Sequence, residues 1–71
     1  MKPFVHVTGP HPARIRMKDR RAFVWHVRIE DADHEAAGRL YRVMSYRRAV
    51  SLSCNMAHDR RLFLRLDALP Y

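Results

Sequence analysis

Apolar and polar residues alternate most regularly between Ala22 and Glu30. Phe23, Trp25, Val27 and Ile29 form one apolar face, and Val24, His26, Arg28 and Glu30 form a mostly polar one. This spacing predicts a half-buried strand on which the rest of the chain can pack. Lys2 to Thr8 alternates in the same way, with Val5 and Val7 on one side and Phe4, His6 and Thr8 on the other. Gly9-Pro10-His11-Pro12 is expected to end that strand, because Pro cannot donate to a ladder and Gly permits a turn. Arg14 to Lys18 then sets Ile15 and Met17 inward and Arg14, Arg16 and Lys18 outward, as a basic second strand. Lys18-Asp19-Arg20-Arg21 is the expected hairpin tip before the central strand.

Beyond Glu30 the period lengthens. Ala36, Ala37, Leu40, Val43 and Met44 fall within one sector of a helix, which predicts a helix from near Asp31 to Arg48. Asp31 suits its N-cap, and Asp33 and Glu35 suit the positive end of its dipole. Gly38 is discordant in a helix interior. From Ala49 the period returns to two: Val50, Leu52, Cys54 and Met56 oppose Ser51, Ser53 and Asn55, which predicts a fourth strand. In a fifth, from Arg60 to Asp67, Leu62, Leu64 and Leu66 point inward and Arg61, Phe63 and Arg65 outward. The expected class is α+β: a small antiparallel sheet of four to five strands in the order β-β-β-α-β-β, with one helix packed on one face. Strand one, with Lys2, Pro3 and Pro10, reads as a protected edge. The uncharged strand 50–56 is expected to be central or paired with its twin across a two-fold axis, and the tail with Leu69 and Tyr71 favours such a homodimer.

At 71 residues the chain is expected to be one compact domain, near the lower limit at which a hydrophobic core suffices. Its single cysteine, Cys54, allows no internal disulfide, and neither a membrane span nor the apolar stretch of a signal peptide is present. Cytoplasm is the expected location. The net charge of +7, carried almost wholly by Arg, adds a preference for anionic partners. Guanidinium groups bind phosphate bidentately and stack on bases, although codon usage in a GC-rich genome also enriches Arg.

The chemistry of sites narrows the field further. Cys54 with His58, and His6 with His11, have spacings a metal could use. Structural zinc sites carry more cysteines at tighter spacing, so no metal and no cofactor is expected. Cys54 reads as an inward, inert thiol. Asp31, Asp33 and Glu35 are explained by the helix, no glycine-rich phosphate loop exists, and the chain is not expected to be an enzyme. The strongest constellation is the outward sheet face: Arg14, Arg16, Lys18, His26, Arg28, Arg61, Phe63 and Arg65, with Ser51 and Ser53 between them and Arg20 and Arg21 at a hairpin tip. Cations for a phosphate backbone beside a ring for stacking suit a nucleic acid or a nucleoprotein surface. A second basic surface is expected on the helix, where Arg39, Arg42 and Tyr46 share a flank.

No residue motif assigns the chain to a family. In size, and in its β-rich layout around one helix, it is similar to small phage-encoded proteins that disable host defence, including some anti-CRISPR proteins. That likeness implies an alternative: an inhibitor or adaptor that blocks one protein partner, with Tyr41, Tyr46 and Tyr71 as candidate anchors.

Overall fold

The structure, a computed structural model, describes residues 3–15, 20–30 and 40–70, without the side chains of Arg14, Ile15, Arg20 and Arg21. Its elements are β1 (Phe4–Ile15), β2 (Arg20–Glu30), β3 (Tyr41–Val43), α1 (Tyr46–Arg60) and β4 (Phe63–Ala68). They form a four-stranded mixed sheet in the order β3-β2-β1-β4, with the helix on one face. β1 pairs antiparallel with β2 and parallel with β4, and β2 pairs antiparallel with β3. The α+β class and the single covering helix stand as read from the pattern. The β-β-β-α-β-β element order and the all-antiparallel sheet do not: four strands lie in the order β-β-β-α-β among the described residues, with β1 and β4 parallel.

β2 is the strand the alternation foretold. Trp25 and Val27 are buried and Ile29 packs against them, joined by Val5 and Val7 of β1 and by Ala49 and Met56 of α1. Phe23, farther along the same face, remains 37% exposed. The break expected after Thr8 is absent: β1 runs straight through Gly9-Pro10-His11-Pro12 to Ile15, and Arg16 to Lys18 of the expected second strand lie outside the described residues. The ladder absorbs these residues as a bulge, because Thr8 pairs with His26 and His11 with Val24, leaving Gly9 and Pro10 opposite Trp25 alone. Gly9 has φ +141°, and a Cβ there would lie 2.7 Å from Trp25 Cδ1. The indole therefore occupies the space a side chain at position 9 would need. A cis peptide joins Gly9 to Pro10. Trp25 Nε1 donates to the Leu69 carbonyl at 3.1 Å, and the Leu69 N–H donates to the Gly9 carbonyl at 3.1 Å, so the bulge, the indole and the C-terminal segment fasten one another.

The helix lies later in the chain than the pattern suggested. Residues 41–43, expected inside it, form β3, and the segment 50–56, expected as a strand, lies within α1. Ser45 caps the helix by accepting from the Arg48 N–H at 3.1 Å. Ala49, Ser53 and Met56 are buried, with Tyr46, Leu52 and Ala57 half-buried beside them, which is a 3.6-residue period. Ser53 satisfies its buried hydroxyl by donating to the Val50 carbonyl at 2.9 Å. Cys54, read as an inward strand residue, is exposed on the helix. The helix ends with Arg61 in the left-handed region, where its N–H donates to His58 and that of Leu62 donates to Ala57, a Schellman closure. The expected helix start at Asp31, with Asp33, Glu35, Ala36, Ala37, Gly38 and Arg39, lies outside the described residues. So does Tyr71.

The edges also differ from expectation. Strand one was read as an edge, yet β1 is flanked on both sides. Among the described residues the edges are β3 and β4. Leu64 and Leu66 share the helix side with their register partners Val5 and Val7 but stay 38% and 45% exposed, because β4 is the rim of the sheet.

Candidate functional site

The helix covers the face of Val5, Val7 and Val27, and no described element packs on the other. Alternation and register fix what that open face carries. Phe63 of β4, Phe4 of β1 and Glu30 of β2 lie abreast. The next row is Arg65, His6 and Arg28, and the one after is Asp67, Thr8, His26 and Arg42 of β3. The bulge adds a residue to β1 and so returns His11 to this face, beside Val24.

A chain of charge contacts crosses the centre. Arg28 donates to Glu30 Oε1 from Nη2 at 2.7 Å and from Nε at 2.9 Å, and His6 Nδ1 lies 2.9 Å from the same oxygen. His6 Nε2 lies 2.6 Å from Asp67 Oδ2, which also accepts from Arg65 Nε at 2.8 Å. His6 of β1 thus lies between the two carboxylates and links Glu30 of β2 to Asp67 of β4. The His6 hydrogen bond, followed by Arg28, holds the Glu30 carboxyl below its usual value of 4.5. The His6 hydrogen bond, and after it Arg65, likewise holds Asp67 below 3.8. The two carboxylates fix the directions of Arg28, His6 and Arg65, and among the described residues the face sets three guanidinium groups, with Arg42, against those two carboxylates.

Toward β3 the face carries two imidazole rings and the Arg42 guanidinium. The rings of His11 and His26 stack at 4.2 Å with their planes 20° apart, and Thr8 Oγ1 lies 2.9 Å from His11 Nε2. Partial burial, then the charges of His11, Arg42 and Arg28, hold the His26 imidazole below its ordinary 6.5. Arg42 makes no ion pair among the described residues. At the opposite end Phe63 is 71% exposed beside Phe4, whose ring centroid lies 5.7 Å from that of His6. Guanidinium, imidazole and phenyl groups thus share one uncovered sheet face.

Of the residues read as one outward surface, His26, Arg28, Phe63 and Arg65 are brought together here. Arg61 is not among them: it terminates α1 rather than belonging to a strand. Ser51 and Ser53 are helical, one exposed and the other facing the core. Arg14, Arg20 and Arg21 sit at the far end of the β1–β2 ladder, with Arg14 opposite Arg21, but their side chains lie outside the description, and Arg16 and Lys18 lie outside the described residues. Arg42 and Tyr46, expected on one flank of a helix with Arg39, do not share a flank, and Arg39 lies outside the described residues. Arg42 joins the sheet face, while Tyr46 turns toward the core, its ring 6.4 Å from that of Trp25. Sequence reasoning passed over Phe4, His6, His11 and Arg42 as members of the face. The signal for Phe4 and His6 was their shared parity opposite Val5 and Val7. The unseen bulge hid His11. His6 and His11 occupy the sheet while Cys54 and His58 sit on α1, so the four residues whose spacing suggested a metal are not gathered in one place.

No family model, curated protein or solved structure matches the chain. No helix among the described residues is long and apolar enough to cross a membrane.

Proposed function

We propose that the protein is a non-enzymatic binding module whose open sheet face takes single-stranded nucleic acid. The observation that carries this reading is the exposed Phe63 ring lying abreast of Phe4, one row from Arg65, His6 and Arg28. Bases stack on rings of any sequence context, and guanidinium groups track the backbone, so a flat sheet presenting both suits a splayed strand better than a duplex. Arg42 extends the cationic track across the sheet toward β3, beside the stacked rings of His26 and His11.

Fluorescence anisotropy with labelled single-stranded RNA and DNA, and with the corresponding duplex, tests the proposal. Each neutralised phosphate of a single strand contributes about −0.7 to the slope of log affinity against log salt. Engagement of Arg28, Arg42 and Arg65 therefore predicts a slope of about −2 or steeper. Joint replacement of these three by Ala should abolish most binding, and Phe63→Ala should weaken it by about tenfold, in keeping with about 1–3 kcal/mol per stacked base. Arg47→Ala with Arg48→Ala, exposed on α1, should change it little. Absence of binding at low salt, or a triple variant that binds like the parent, would reject the reading.

A protein partner is the second reading, favoured by the exposure of Leu40, Tyr41 and Met44 around β3. An inhibitor or adaptor would use such side chains as anchors. A pull-down repeated after nuclease treatment separates the two, because only a direct protein contact survives it.

A further inference from the structure

The two edges of the sheet are unequal. β3 has three residues, whereas β4 has six, contains no proline, and is paired along one side only among the described residues. The Leu69 N–H donates to Gly9 on β1. Backbone groups alternate in direction along a strand, so the odd-numbered residues of β4 turn theirs toward β1, and Leu64, Leu66 and Ala68 turn theirs to the free edge. An uncapped row of this kind is a template for another strand.

We propose that this edge pairs antiparallel with the β4 edge of a second copy, in the register that sets Leu66 opposite its own equivalent. Paired residues share a face, so a two-fold arrangement must match odd positions with odd and even with even. Centring on Leu66 makes it a hydrogen-bonded pair with its equivalent, and makes Leu64 and Ala68 another on either side, using every backbone group the edge exposes. The same register sets Arg65 against Asp67 of the second copy, and the end bearing Phe63 against Leu69, a residue 70% exposed. The neighbouring registers are worse: one opposes Arg65 to Arg65 and Phe63 to Asp67, and the other opposes Asp67 to Asp67. Like charges facing one another across strands are destabilising. Charge therefore selects the register that the hydrogen bonds also favour.

The result is a continuous sheet across two copies, with both helices on one side and both open faces joined on the other. It replaces the homodimer expected through the segment 50–56, which is helical. It does not depend on what the open face binds.

Sedimentation velocity on the full chain at micromolar concentration should give a dimer. Leu66→Pro should give a folded monomer by circular dichroism, because proline is tolerated at an edge position whose N–H faces outward. A hydrogen-bonded antiparallel pair has Cα atoms about 5.5 Å apart, within disulfide range. In a Cys54→Ser background, Leu66→Cys should therefore crosslink into a dimer on mild oxidation, while Asp67→Cys should not. A monomeric parent, a folded Leu66→Pro variant that remains dimeric, or a dimer whose Leu66→Cys variant fails to crosslink would overturn the proposal.

Discussion

Two residues with no charge decide where the charged ones go. Gly9 lets β1 carry a bulge against Trp25, and the extra residue in that bulge restores His11 to the face that holds Thr8 and His26. The fold and the candidate interface therefore share a hinge point at position 9. Gly9→Ala should be severely destabilising, by about 3 kcal/mol or more, since it combines a φ that L-residues avoid with a Cβ driven into the indole. Urea denaturation measures this. Trp25→Phe removes the hydrogen bond to Leu69 but keeps an aromatic ring, and should cost less than Gly9→Ala. Equal stability of Gly9→Ala and the parent would show that the bulge tolerates a side chain and that the indole is not held as described.

Whether the sequence disclosed an element depended on whether one periodicity excluded the other. β2 was legible because Phe23, Trp25, Val27 and Ile29 cannot all lie on one side of a helix. The segment from Ala49 to Met56 was not. Its alternation Val50, Leu52, Cys54, Met56 is genuine, yet Ala49, Leu52, Ser53 and Met56 equally make a helical stripe, because small Ala and Ser residues suit a buried face without looking hydrophobic. The stronger clue was Ser45, a capping residue directly before the helix. β1 was split because Gly-Pro usually punctuates a strand, and a bulge shows in the pattern only as a fault in alternation. For the site, the same alternation that revealed Arg28, Phe63 and Arg65 also held Phe4 and His6, whereas Arg42 was lost with the misplaced helix. Arg61 was assigned to the sheet although it closes α1 at φ 52°, a position glycine occupies at lower cost. Arg61→Gly should therefore raise stability by about 1 kcal/mol, seen as a higher melting temperature, and leave nucleic-acid affinity nearly unchanged. A large loss of affinity in this variant would restore Arg61 to the interface.

For the whole molecule, protons taken up by His26, Glu30 and Asp67 should oppose folding, and the one taken up by His26 should favour binding. The His26 imidazole is held below 6.5 by partial burial and by His11 on β1, Arg42 on β3 and Arg28 on its own strand. The unfolded chain then binds that proton more readily than the native state does. The His26 contribution to stability is thus complete above 6.5 and is lost as pH falls from there toward the depressed native value. Glu30 and Asp67, also depressed, extend the loss as pH drops through 4.5 and 3.8 toward their own native values. Binding runs the other way, because a phosphate beside His26 favours the imidazolium, so the complex takes up a proton that the free protein resists. Lowering the pH from about 8 to about 6 should accordingly strengthen single-strand binding while thermal stability begins to fall, the range in which histidine titrates. His26→Gln keeps a polar side chain that cannot titrate, and should reduce both responses. Anisotropy and thermal melts across that range measure the two together. If parent affinity falls on acidification, or if His26→Gln retains the parent's dependence, the phosphate does not approach His26, and the cationic track toward β3 is not part of the interface.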